Sequence, residues 1–171
     1  MSTAMAGGLT FAQANPVQRA LRRFAGTTAG SWLFAHVLQW LDRPVYRLTA
    51  GRHTVANLLS GLPVVLLTTT GARSGLARTV PVLGIPTAGG LAVIASNFGQ
   101  RAQPGWYFNL RAHPAASVTV AGVAHAVRAV EAEGAERERI WQEGLRFYPG
   151  WAFHERQARA RHIGVFLLLP G

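Results

Sequence analysis

The chain has 171 residues, enough for one domain with a buried core, and its 49% apolar and 14% charged content excludes a disordered or collagen-like polymer. It has no cysteine, which excludes disulfides, thiolate metal sites and thiol nucleophiles. All 17 basic side chains are arginine; eleven of them, against the single acid Asp42, fall in residues 1–130, while residues 131–171 balance six against six. A basic body of this kind suits an anionic partner: a phosphorylated ligand, a nucleic acid or a membrane surface.

The N-terminus lacks the pattern of a signal peptide, since Arg19, Arg22 and Arg23 precede the apolar stretch with no cleavage site behind it. Asn15-Pro16 marks a helix start that runs to about Phe24, with 26–30 as a break. Ser31 can cap a second helix over 32–41, where Trp32, Leu33, His36, Val37, Trp40 and Leu41 recur at helical spacing. That stripe reads as core or a dimer seam before a membrane-surface face, and it is too short to span a bilayer, which takes about 20 residues.

From Pro63 the texture turns to strand. The β-branched run 64–70 predicts a buried strand, followed by a loop over 71–75 and a strand over 77–85 whose Pro81 points to an edge or a bulge. A third strand is expected over 91–96, then an irregular loop over 97–105 and a short helix over 106–113 stopped by Pro114. The segments 116–120 and 123–130 flank Ala121-Gly122 as a hairpin. An acidic helix over 135–147, a further helix over 151–161 and a last strand over 163–169 complete the chain. The sum is a single domain, 1–171, mainly β with flanking helices. Residues 1–60 form a helical extension packed outside, and 61–171 a cofactor-binding body of six mostly antiparallel strands closed into a barrel, because closure removes exposed edges.

The clearest chemical signal is Thr68-Thr69-Thr70-Gly71-Ala72-Arg73-Ser74-Gly75-Leu76-Ala77-Arg78. Glycines let backbone N–H groups converge on an anion, and arginine adds bidentate recognition of phosphate or carboxylate. The spacing is neither a Walker loop nor a dinucleotide fingerprint, and an ordinary hairpin turn with solvated arginines fits the pattern equally well. A second signal, Ser96-Asn97-Phe98-Gly99, ends a strand before the helix carrying Trp106, Tyr107, Asn109 and Leu110; Trp106 and Leu110, four apart, also read as barrel packing. A third, Tyr148 to His154, can line an apolar pocket or belong to the core. The other histidines, at 36, 53, 113, 125 and 162, have no metal-ligand spacing, no metal is expected, and the glutamates of 131–143 read as a solvated helix face.

Taken together, Thr-Thr-Gly-x-Arg-Ser-Gly-x-x-Arg, then Ser-Asn-Phe-Gly, then Pro-x-Trp-Tyr-x-Asn-Leu resemble, in order and spacing, the deazaflavin-dependent nitroreductases. These are split β-barrel proteins, also described as quinone reductases, that use coenzyme F-420. The resemblance runs from about Pro63 to Pro170 and implies an FMN-binding-like split barrel that transfers hydride from the reduced coenzyme to a quinone, enone or nitro compound. It further implies that Arg73, Ser74, Gly75 and Arg78 hold the coenzyme's phosphate and acidic tail, and that Thr79, Val80 and Pro81 pass its ring. Ser96 would lie near the reacting face, Asn97 and Gly99 on the phosphate-side loop, and Trp106 and Asn109 at the helix closing the pocket. Tyr148, Trp151 and His154 fall on three tyrosine positions bordering the acceptor; Ser96, Tyr148 and His154 are the candidate catalytic donors, and His154 the titrating acid. Ala72 stands where some members carry arginine, and Asn97 where some carry lysine.

Other readings keep the barrel but exchange the cofactor for FMN, or make the chain a non-catalytic carrier of cofactor or lipid. Nucleic acid is not expected as a partner, for want of any recognition motif. The partners expected are a small-molecule acceptor, a peripheral membrane contact through residues 31–48 and a second copy of the chain; the place expected is the cytoplasm, with contact at the inner face of the membrane.

Overall fold

The structure is a computed structural model that describes residues 10–27, 30, 61–158 and 161–171. The helix expected over 32–41, the membrane contact at 31–48 and most of the extension 1–60 lie outside the described residues. Among them, seven strands form one antiparallel sheet: β1 (Val64–Thr70), β2 (Ala77–Leu83), β3 (Ile85–Thr87), β4 (Gly90–Ile94), β5 (Ala115–Val120), β6 (Val123–Glu131) and β7 (Val165–Pro170). The α-helices among the described residues are α1 (Pro16–Ala25), α2 (Gly105–Ala112), α3 (Gly134–Phe147) and α4 (Gly150–Gln157), with a short 3-10 turn over Asn97–Gly99.

The sheet order is β2-β1-β5-β6-β7-β4-β3, so β2 and β3 occupy opposite ends. Yet one residue, Gly84, joins them in sequence. A sheet whose two edges are one residue apart must roll up, and this is the closure that makes the barrel. The sequence predicts one strand over 77–85; the chain instead turns a corner at Gly84, whose N–H donates to the Pro63 carbonyl at 2.8 Å. Counting β2 and β3 as one bent strand recovers the expected six.

Alternation sorts the side chains. Val65, Leu67, Leu91, Val93, Val118, Val127, Phe166 and Leu168 point into the barrel, which α2 closes with Trp106, Tyr107 and Leu110. The rings of Trp106 and Tyr107 meet Phe166 edge-on, with centroids 6.1 and 5.6 Å away. The alternate residues Ile85, Ala92, Ile94 and Val165 form a second cluster with Ile140, Trp141, Phe147 and Trp151 from α3 and α4 and Ala25 from α1. β4 is therefore buried along its whole length, as its uninterrupted apolar run requires.

Local signals did their expected work. Asn15 caps α1 through its side chain, and Gln18 returns the bond to the Asn15 N–H, with Pro16 in the first turn. Ala121 and Gly122 both have positive φ (49° and 84°), the two-residue turn that matches strand twist. On α3 the acids pair with arginines one turn away, Glu136 with Arg139 at 2.7 Å and Glu143 with Arg146 at 3.0 Å, on the solvated face. The helix expected over 151–161 is shorter, ending at Gln157.

Candidate active site

A cavity of about 1310 Å³ opens beside the edge strand β2. Pockets for one small molecule usually enclose about 300–1,000 Å³, so this one has room for two reactants. It is lined by the loop after β1, by β2, by the segment 96–106, by α2 and by Tyr148, Trp151 and His154; α1 contributes Leu21, Arg22 and Ala25. The N-terminal helix thus lies outside the barrel, as expected, but forms part of the site.

The arginine loop is built as a closed turn. The Gly75 N–H donates to the Gly71 carbonyl at 2.8 Å, the Gly71 N–H to Leu76 at 2.9 Å, and Gly75 takes φ +66° at little steric cost. This leaves Arg73 and Ser74 at its tip, with Arg78 beyond. Asn109 fixes the turn from α2: its Oδ1 accepts from the Ala72 N–H and its Nδ2 donates to the Thr69 hydroxyl, both at 2.9 Å. Arg73, Ser74, Arg78, Val80, Pro81, Ser96, Asn97, Trp106 and Asn109 all line the cavity.

Three expected contacts are not among the lining residues. Thr79 meets its cross-strand neighbour Thr68, hydroxyl to hydroxyl at 2.8 Å. Gly75 spends its N–H inside the turn. Gly99 packs beneath the loop against α4, where a Cβ would come within 2.8 Å of the Gln157 Cβ and 3.1 Å of the His154 Cα.

Tyr148, Trp151 and His154 come together as buried aromatics, with the Tyr148 ring 5.8 Å from Trp151 and 5.6 Å from His154. Burial pushes the His154 pKa down from 6.5 to about 4, opposed by a backbone hydrogen bond at Ala25, so the imidazole is neutral at pH 7. As the titrating acid the resemblance suggested, it would be charged only in acid, and at pH 7 a neutral ring remains. Burial raises the Tyr148 pKa, which keeps its phenolic proton in place.

Two residues of the site escaped the sequence. Arg111 lines the cavity one residue beyond the aromatic motif, its guanidinium 3.5 Å from Glu131 and 3.4 Å from the Tyr107 hydroxyl. Arg161 lies behind the 96–103 segment and donates to several of its oxygens. Repeated positive charge near the loop foreshadowed the first; nothing local foreshadowed the second.

The described lining residues include Arg22, Arg73, Arg78 and Arg111 but no carboxylate, together with aromatic and aliphatic side chains. A cavity so lined beside a closed antiparallel barrel suits an anionic organic ligand. The chain matches the family of F420H(2)-dependent quinone reductases over residues 41–170. It is 33% identical over 117 residues to the F420H(2)-dependent quinone reductase Rv1261c of Mycobacterium tuberculosis, a span covering 65% of this chain and 77% of that protein. Among solved structures, the F420-H2 dependent reductase FDR-A superposes with a TM-score of 0.57 at 39% identity, covering 62% of this chain and 93% of that one. A relative solved as a domain-swapped dimer gives 0.60 at 34% identity, covering 76% and 97%. The chain belongs to the F420H(2)-dependent quinone reductase family. It is an oxidoreductase of the split-barrel type, with coenzyme F-420 as its cofactor.

Proposed function

We propose that the chain transfers a hydride from reduced coenzyme F-420 to a quinone held against the aromatic wall of the cavity. The observation that carries this reading is the lining of the cavity, in which Arg73, Arg78 and Arg111 stand without a carboxylate among the described lining residues, together with the apolar Tyr148, Trp151, Leu21 and Leu62. Arg73, Ser74 and Arg78 would hold the phosphate and acidic tail through charge-assisted hydrogen bonds. Val80, Pro81, Ser96 and Trp106 would flank the ring, Asn97 would lie on the phosphate-side loop, and Asn109 keeps the arginine loop in place. When bound, the coenzyme supplies the hydride. The protein's part is to orient the acceptor, exclude water and meet the charge that develops on its oxygen.

Tyr148 with its retained O–H and Ser96 with its hydroxyl at the cavity wall can donate to that oxygen, and neutral His154 can do so through a ring N–H. Hydride delivers two electrons to the quinone, and one proton completes the hydroquinone. Turnover of a soluble naphthoquinone with the reduced coenzyme tests the reading: wild type turns over, and Tyr148→Phe and His154→Gln each lose about a hundredfold or more, the usual range for a positioned proton donor. Full turnover in both variants would make bulk water the acid; a wild type that reduces the quinone only with FMN would replace the coenzyme.

The basic residues 1–130 and a lipid-soluble acceptor also suit work at the inner surface of a membrane. Flotation of the full chain with acidic but not neutral vesicles is the expected outcome, and equal flotation on both would remove the charge argument. A second copy as partner, by analogy with the domain-swapped relative, is read from sedimentation of the full chain.

A further inference from the structure

Arg161 follows α4 and precedes β7, and it donates to oxygens throughout the preceding wall of the cavity. Its Nε reaches the Gln100 carbonyl at 3.1 Å; Nη1 reaches the Ala95 carbonyl at 3.2 Å, the His162 carbonyl at 3.4 Å and the Gln103 side-chain oxygen; Nη2 reaches the Ser96 carbonyl at 2.8 Å. Gln103 closes the network by donating from Nε2 to the His162 carbonyl at 2.7 Å. All of these acceptors are neutral oxygens, so the guanidinium is held by dipoles.

The segment it grips is one the backbone does not favour. Asn97, Phe98 and Gly99 take φ values of 46°, 53° and 75° in succession, and the first two are not glycine. Such left-handed residues persist only where their surroundings over-determine them. The same segment supplies Ser96, Asn97, Phe98, Gln100 and Gln103 to the cavity, and Phe98 meets His154 ring to ring at 6.1 Å.

We infer that Arg161 is a positioning residue that holds the 96–103 segment in its strained form and thereby sets the cavity wall against which the coenzyme binds. The binding half of this inference rests on the coenzyme reading above; the loop half does not. The planar fork matters more than the charge, since lysine offers three donors from one point and cannot reach separated carbonyls in the same way.

The test uses full-length Arg161→Met and Arg161→Lys with two readouts. Hydrogen exchange without coenzyme should accelerate about tenfold or more across 96–103 in Arg161→Met while β1 and β5 keep wild-type protection, and the dissociation constant for oxidised coenzyme F-420 should rise about tenfold or more. Arg161→Lys should recover part of both effects. Exchange and affinity within about twofold of wild type in a folded variant overturn the inference, as does a loss of protection spread evenly over the barrel with affinity unchanged. Should Arg161→Met fail to fold, Arg161→Lys decides by the same two readouts. A wild type that binds no coenzyme sinks the coenzyme reading and the binding half with it, and the exchange comparison then decides the loop claim alone.

Discussion

His154 shows at the scale of one residue how burial overrules identity. A histidine beside a reaction centre invites the role of titrating acid, and the resemblance made His154 a candidate for it. With 2% exposure and a pKa near 4, it is instead a neutral member of an aromatic cluster. A stability effect follows. Between pH 6.5 and about 4 the unfolded chain binds a proton at this position that the folded chain refuses, so stability falls as pH drops through that window. With the pKa lowered from 6.5 to about 4, the total is on the order of 3–4 kcal/mol. Urea unfolding of wild type and His154→Leu at pH 7 and pH 4.5 isolates it from the carboxylates: the wild type should lose more on acidification than the variant, and parallel losses would remove the assignment. The fate of His154 was not legible in the sequence because burial is set by α1 and by Phe98, both distant in the chain. Arg161 escaped for a related reason, since its carbonyl partners at Ala95 and Ser96 lie 66 and 65 residues earlier.

At the scale of elements, the loop after β1 depends on α2. Asn109 bonds both the Ala72 N–H and the Thr69 hydroxyl, and Thr69 is almost fully buried, so removing the amide leaves a buried polar group short of a partner. Asn109→Ala should cost about 1–3 kcal/mol in chemical unfolding and also weaken coenzyme binding by releasing the loop that carries Arg73. Unchanged affinity in a destabilised variant would separate the two roles and confine Asn109 to folding. Here the sequence was a better guide. The Thr-Thr-Gly and Trp-Tyr-x-Asn-Leu motifs both mark parts of the site, although their joining through one side chain emerges only from the fold. Element positions were equally readable where local chemistry acts alone, as in the Asn15-Pro16 cap and the Ala121-Gly122 turn. Thr79 was assigned to the site by the resemblance, together with Val80 and Pro81, and of the three it alone is not a lining residue; its hydroxyl meets Thr68 instead. The bend at Gly84 left no local signature either, because one glycine in an apolar run is compatible with a continuous strand. Only the meeting of the two sheet edges gives it meaning.

At the scale of the whole molecule, the barrel and its helices line one cavity with arginines and with aromatic side chains. The net charge of +10 supplies a favourable field for a polyanionic ligand, and that field should weaken with added salt. Because the folded chain binds the ligand and the unfolded chain does not, saturating coenzyme should raise the thermal midpoint. A hundredfold excess over the dissociation constant is worth about 2.7 kcal/mol. The charge asymmetry between residues 1–130 and 131–171 pointed to an anionic partner from composition alone, but composition offered phosphate, nucleic acid and membrane alike. The family to which residues 41–170 belong adds what composition lacked, a phosphorylated coenzyme as the anion.

The most direct test of the central claim is a titration of the purified full-length chain with coenzyme F-420, repeated with Arg73→Ala and with FMN in place of the coenzyme. The account predicts saturable binding to the wild type that is stronger than FMN binding, weakens with salt and falls by about 2 kcal/mol in the variant, the cost typical of one charge-assisted contact. Equal affinity in wild type and variant, or binding of FMN alone, would contradict it.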